Sequence, residues 1–302
     1  NGAGKSTLLR MLSGDLRPTT GHVELKQREI RSYPPRELAH HRAMLSQHVS
    51  VTFPFTVEEI VHMGAGDSGR AGAQRLVDAA LDEVGLAHFS DRQLPTLSGG
   101  EQQRAHLARI LVQLACGEAL HGPGLLLLDE PTSSLDMRHQ IDLVETARRR
   151  AQGGTAVVAV LHDLNLAMRF ADRIVLLHRG KLAVDGGRTE AITSETIRRI
   201  FEVDVRIDYT ESGIPFLLPQ TMRPVSLAGS GRSRFRARSH RPVAHVSVAG
   251  AISASASSPA MNWLRWVPVW SVHSQVCDGP PPGTVHPPHS SASTGLEHIA
   301  DV

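Results

Sequence analysis

The first seven residues, NGAGKST (1–7), put two glycines, a lysine and two hydroxyls at the mouth of a helix. Glycines let backbone N–H groups turn inward around phosphate oxygens, and a helix N-terminus adds the positive end of its dipole. The run matches the second half of the phosphate-loop pattern GxxxxGK[ST]. Lys5 would then reach the β- and γ-phosphates of a nucleotide, and Ser6 would offer its hydroxyl to Mg²⁺. Taken alone, the run is also compatible with an ordinary turn before a helix.

Other residues narrow that choice. GLLLLDE (124–130) is an apolar strand that ends on two acids. Adjacent carboxylates after a buried strand are costly unless something uses them. This strand would deliver Asp129 to the Mg²⁺ side of the phosphates, with Glu130 beside it. LSGGEQQR (97–104) opens a helix with Ser98, Gly99 and Gly100, a second anion-binding helix end. One nucleotide needs one phosphate loop, so a second phosphate-binding end implies a nucleotide held by another subunit. Gln47 closes a short strand before an apolar loop, and His162 closes the strand 157–161.

These residues need a scaffold that brings distant strand ends together. Helical spacing is predicted for 4–13, 56–63, 70–84, 101–115, 138–151 and 164–170. Strands are predicted at 22–25, 26–30, 42–47, 125–128, 156–161, 173–178 and 181–184. Leu125–Leu128 is apolar at every position, as a parallel strand covered on both faces must be. The alternation predicts an α/β domain with a largely parallel sheet. Residues 53–115 carry helices without a convincing strand and read as a helical insert.

The chain has 302 residues, 41% hydrophobic and 21% charged, which excludes collagen-like, coiled-coil and wholly disordered classes. No apolar run approaches the ~20 residues of a membrane span. Cys116 and Cys277 are far apart, which argues against a disulfide framework or zinc knuckle and suits a reducing cytosol. No signal peptide is read at Asn1, and the chain is expected to start inside a longer one. The composition breaks near Gln220. Residues 221–302 hold seven Arg against three acids, and nine of the 18 prolines. Poor in periodicity, this tail is predicted to be disordered. Asn262–Val272 could form an interfacial aromatic patch and Arg232–Arg241 could touch an acidic surface, or both are solvated segments without a role. The near-neutral body argues against a nucleic-acid partner.

The combination resembles the nucleotide-binding subunit of ABC transporters. It comprises a Walker A remnant at Asn1, Gly2, Ala3, Gly4, Lys5, Ser6 and Thr7, Gln47 as the Q-loop residue, and LSGGE at 97–101. Asp129–Glu130 stand as Walker B with its glutamate, SSLD (133–136) as the D-loop, and His162 as the switch histidine. The runs 44–61, 129–140, HDLNLA (162–167) and GIPFLLPQ (213–220) are most similar to haem importers, with ferric-siderophore and cobalamin importers nearby.

The resemblance covers residues 1–220. It implies a RecA-like P-loop core with a helical subdomain at about 53–115. ATP would be bound by residues 1–7 and by Ser98, Gly99, Gly100 and Asp136, with Mg²⁺ held by Ser6, Gln47 and Asp129. Glu130 would be the general base, His162 would hold the γ-phosphate and orient Glu130, and Gln47 would report to the membrane partner. The implied partners are a second copy bound head to tail, transmembrane permease subunits and, indirectly, a substrate-binding protein. The implied place is the cytoplasmic face of the membrane. In this family the stretch Val51–Ile60 faces the permease; ordinary core packing is the other reading.

The sequence departs from the family in two respects. It lacks the β layer and the strand that precede the phosphate loop, so Leu125–Leu128 and Val157–Leu161 are expected to lose ladder partners and the loop its anchor. The tail after Gln220 has no counterpart. A non-functional fragment, or a soluble ABC ATPase of translation or repair, therefore stand as rival readings. The latter usually carries two cassettes or long coiled coils, which this chain lacks.

Overall fold

The computed structural model describes residues 2–47, 51, 53–66, 70–225, 247–252 and 264–266. Its compact unit runs from Asn1 to Val272, and a second unit, His273–Val302, holds no described residue. Asn1, assigned above to the phosphate loop, lies outside the described residues.

Helix α1 (Lys5–Leu12) leaves the glycine loop and stops at Ser13, where Gly14 takes a left-handed φ of +83°. Strands β1 (Val23–Leu25) and β2 (Arg28–Glu29) form an antiparallel pair. Helix α2 (Pro35–His41) begins on a proline, which is pre-set for a first helical turn. It runs directly into β3 (Arg42–Leu45), which ends two residues before Gln47.

The predicted helical block holds α3 (Val57–His62), α4 (Arg70–Glu83) and most of α5 (Gly99–His121). Among its described residues the only β pairing is an isolated bridge between Thr56 and Gln93. Thr56 with Glu59, and Ser98 with Glu101, form capping boxes that start α3 and α5. Helix α5 outruns its predicted end at Ala115 by six residues. Gly117, a weak helix former, is kept there by packing: a Cβ on it would stand 1.9 Å from the His40 carbonyl oxygen. The helix stops instead at Gly122, with φ +72°.

Next come β4 (Leu125–Asp129), α6 (Met137–Gln152), β5 (Ala156–Leu161) and α7 (Leu164–Phe170). They are followed by β6 (Arg173–His178), β7 (Lys181–Gly187), α8 (Arg188–Ala191) and α9 (Ser194–Phe201). Four short strands close this part: β8 (Val203–Asp204), β9 (Ile207–Tyr209), β10 (Pro215–Leu217) and β11 (Arg223–Pro224). They pair as β8 with β11 and β9 with β10.

The tail departs from the expectation of disorder at two described segments, β12 (Ser247–Ile252) and β13 (Leu264–Trp266). Strand β13 pairs with β1. Strand β12 enters the main sheet, whose order is β3-β4-β5-β12-β6-β7. Strands β3, β4 and β5 run parallel, while β12 is antiparallel to both β5 and β6. The ladders of Leu125–Leu128 and Val157–Leu161 are therefore filled on both sides, against the expectation that they lose partners. The physical reason is backbone satisfaction. Unpaired N–H and C=O groups inside a sheet cost roughly 1–3 kcal/mol each, so the open ladder takes up a charge-free run, SVAGAI. The segments 232–241 and most of 262–272 lie outside the described residues.

The sheet has apolar packing on both faces. Leu126 and Leu128 join the larger core with α3, α5 and α6, while Leu125 and Leu127 join Leu9, Leu12, Val23 and Leu25 on the other side. All four β4 leucines are at most 1% exposed, as the unbroken apolar run requires. Helix α1 thus lies on the opposite face of β4 from α5, with its N-terminal end near Asp129. No helix among the described residues is long and apolar enough to cross a membrane.

Candidate functional site

The site gathers at the C-terminal ends of β3, β4 and β5 and at the start of α1. Strand period and parallel register set this: β3, β4 and β5 pair residue for residue, so Gln47, Asp129–Glu130 and His162 leave the sheet on one edge. Glu130 is the hub. Gln47 donates from Nε2 to Glu130 Oε2 at 2.5 Å, and His162 Nε2 lies 2.7 Å from Glu130 Oε1. Lys5 Nζ makes an ion pair with the same Oε1 at 3.3 Å. Lys5 and Glu130 are buried, at 6% and 7% exposure.

Glu130 has a left-handed φ of +50°, a conformation that costs a residue with a Cβ roughly 1–2 kcal/mol. The Ser133 backbone N–H and hydroxyl both donate to the Glu130 carbonyl and hold the turn. Strain at such a position is characteristic of functional sites.

The two adjacent acids are tuned in opposite directions. Burial pushes the Asp129 carboxyl above the usual range, more than the Ser6 hydroxyl, 3.4 Å away, pulls it down. Burial pushes Glu130 the same way, but the His162 hydrogen bond and the charges of His162 and Lys5 prevail and hold it below the usual range. Glu130 is thus ionised and screened by bases, whereas Asp129 is a buried carboxylate short of positive charge.

The loop can accept an anion. Gly4 N-caps α1 with φ +93° and no side-chain cap, and the first turn carries no acid. Gly2 has φ +87° and only open space where a Cβ would stand. Lys5 Nζ is buried without a hydrogen-bond partner. A helix start with no side-chain cap, an open cradle and an under-used ammonium are what a polyphosphate would satisfy. Ser6 and Asp129 supply two hard oxygens, the kind of incomplete set that suits Mg²⁺, which keeps waters and phosphate oxygens as its other ligands. Among the described residues no cluster of three or more His, Cys, Asp or Glu could hold a metal. Thr7 is exposed on α1, and Ala3 is buried in the loop.

Ser98, Gly99, Gly100 and Asp136 make none of these contacts among the described residues. Ser98 is bound to its own helix: Glu101 Oε2 accepts from its N–H and its hydroxyl, both at 2.7 Å. Asp136 caps α6 by accepting from the His139 N–H at 2.9 Å. These residues belong to a second constellation around the loop 131–136. A Cβ on Gly100 would lie 3.1 Å from the Ser134 carbonyl oxygen. Gln103 donates to the Pro131 carbonyl at 2.6 Å, and Gln140 donates to the carbonyls of Thr132 and Leu135. The sequence reading gave Gln103 and Gln140 no role; their signal was only their place inside the motif runs. The stretch Val51–Ile60 divides. Val57 and Ile60 are buried in the core, while Phe53 is 68% exposed.

The model of the family described as "ABC transporter" matches residues 1–133. A hemin import ATP-binding protein of Bradyrhizobium diazoefficiens is 75% identical over 228 residues, covering 76% of this chain and 85% of that protein. Another of the same name from Rhodopseudomonas palustris (strain BisB18) is 71% identical over 220 residues, covering 73% of this chain and 82% of the relative. Among solved structures, a metal-chelate type ABC transporter in an inward-facing conformation superposes with a TM-score of 0.58 at 26% identity. It covers 75% of this chain and 84% of that one. A bacterial Atm1-family ABC exporter with ATP bound gives a TM-score of 0.54 at 30% identity, covering 66% of this chain and 34% of the exporter.

Proposed function

This chain belongs to the ABC transporter family, and from that premise we propose that it is the ATP-hydrolysing subunit of an importer of haem. It would work at the cytoplasmic face of the membrane, on a permease, as a head-to-tail pair. The observation that carries the reading is the convergence of Gln47, Lys5 and His162 on Glu130. The cargo rests on relatives named hemin import ATP-binding proteins at up to 75% identity.

Lys5 neutralises Glu130 through their ion pair. A γ-phosphate entering the loop offers Lys5 a stronger partner, and Glu130 is released toward the attacking water. Glu130 takes a proton from that water as it attacks in line, and His162 keeps the carboxylate oriented. Gln47 holds the other carboxylate oxygen and links the site to the segment after β3. Ser6 and Asp129 would hold Mg²⁺, which supplies charge neutralisation on the β- and γ-oxygens when bound. Ser98, Gly99, Gly100 and Asp136, which make none of these contacts in their own chain, would complete the site of a second copy.

Glu130→Gln tests the reading. The amide keeps the cradle and loses the base, so ATP should still bind while hydrolysis falls at least ~10²-fold. Turnover within a few-fold of wild type would remove Glu130 from the chemistry. Reconstitution with a permease, comparing haem with a ferric siderophore as cargo, tests the substrate.

A further inference from the structure

Of the two polar residues in the run HDLNLA that the chemistry above does not use, Asp163 caps α7 and the other is Asn165. It sits three residues after His162, in the first turn of α7. Its backbone N–H is taken by the N-cap, since Asp163 Oδ1 accepts from it at 2.7 Å and from Leu166 N–H at 3.2 Å. Its side chain points elsewhere. The carboxamide Nδ2 donates to the Leu217 carbonyl at 3.0 Å, and Oδ1 accepts from the Leu217 N–H at 2.8 Å. One amide side chain thus satisfies both backbone groups of one residue, as a neighbouring strand would.

Leu217 is 1% exposed and lies in β10, whose other edge pairs with β9, Leu217 opposite Ile207. The side chain of Asn165 is the means by which this edge of the small hairpin is closed. An unpaired buried N–H and C=O at Leu217 would each be costly, so the two bonds are held firmly. His162 is different. It is half exposed, and it pairs with Glu130. The segment carrying it is fixed at one end by β5 and at the other by Asp163 and Asn165.

We propose that Asn165 is a positioning residue for His162, tying the strand-to-helix turn that carries the imidazole to the 207–217 hairpin. A shift of this hairpin would move the imidazole relative to the Glu130 carboxylate. The inference rests on the reading of Glu130 as base and His162 as its orienting partner. Asn165 touches neither reacting atoms nor nucleotide; it acts through the turn.

The test compares Asn165→Ala and the near-isosteric Asn165→Asp with wild type, each also in a His162→Ala background. Both single variants should lower kcat roughly tenfold or more, since small displacements of catalytic groups carry losses of that order, with the KM for ATP within about twofold of wild type. In the His162→Ala background neither variant should cost further activity. Should Asn165→Ala not fold, Asn165→Asp, which keeps the acceptor and loses the donor, carries the same comparison. An unchanged kcat, a loss carried by KM instead of kcat, or losses that add fully to that of His162→Ala would overturn the proposal. If Glu130→Gln also turns over normally, the functional reading itself has failed; if only the Asn165 variants are normal, this inference alone has.

Discussion

At the scale of the residue, two neighbouring carboxylates face opposite demands. Asp129 ends β4 in a buried position, and its carboxyl lies above the ordinary range because desolvation outweighs the Ser6 hydrogen bond. A group whose folded pKa exceeds its unfolded one opposes folding above the unfolded value, and the penalty is complete above the folded value. Asp129→Asn should therefore raise the melting temperature of the nucleotide-free protein. The gain should be largest at pH 8 and should vanish below about pH 4, where both states carry a neutral acid. The same variant should lose Mg²⁺-dependent hydrolysis. Melting curves at pH 4, 6 and 8, with and without Mg-ATP, check both effects. A variant less stable than wild type at pH 8 would show that the Asp129 charge is already compensated without nucleotide. Glu130 is the reverse case, held low by His162 and Lys5 despite burial. Its left-handed backbone is a cost that the Ser133 bonds to its carbonyl offset.

At the scale of the element, helix α5 joins the signature residues to the core. Its N-terminus presents Ser98, Gly99 and Gly100, and its C-terminal half lies against α2. The approach is close because Gly117 has no side chain: a Cβ there would meet the His40 carbonyl oxygen at 1.9 Å and its carbon at 2.7 Å. Both are backbone atoms, so relief requires the helices to part. Helix α2 continues into β3 and so to Gln47. Gly117→Ala should destabilise the protein by about 1–3 kcal/mol, the usual range for overpacking, although alanine is the better helix former. Calorimetric melting measures this, and a variant as stable as wild type would mean that α2 and α5 slide apart at little cost.

At the scale of the whole molecule, the residues proposed to make up a catalytic site are divided. Lys5, Ser6, Gln47, Asp129, Glu130 and His162 form one cluster, while Ser98, Gly99 and Gly100 open α5 outside it, Gly100 against the loop 131–136. In the proposed head-to-tail pair, each cluster would take its missing half from the other chain. Mixing a Lys5→Ala chain with a Ser98→Arg chain tests this. In a mixed pair one site has both defects and the other has none. Each variant alone should be near background, and the mixture should recover roughly a quarter of the wild-type rate if chains pair at random and sites act independently. A mixture no more active than its components would exclude a composite site.

Most of the core elements follow from local pattern. Four leucines and two acids at 125–130 define a strand buried on both faces with a polar end, and β4 is that strand. Helix α7 and strands β5 and β6 fall where their apolar spacing puts them, because burial periodicity is a property of the chain alone. Residue types at motif spacing likewise named Lys5, Ser6, Gln47, Asp129, Glu130 and His162. What spacing could not carry is contact across the chain. The three side chains converging on Glu130 come from positions 5, 47 and 162, and parallel pairing of β3, β4 and β5 brings two of them beside it. The same holds for Asn165 and Leu217, 52 residues apart and joined by two hydrogen bonds. It holds for β12, a short, charge-free run in a proline-rich tail whose pattern gave no strand. Its place depends on the unpaired edges of β5 and β6, which exist only once the sheet has formed. Local sequence sets which face of an element is apolar; only tertiary structure decides which backbone groups still need a partner and which segment supplies it.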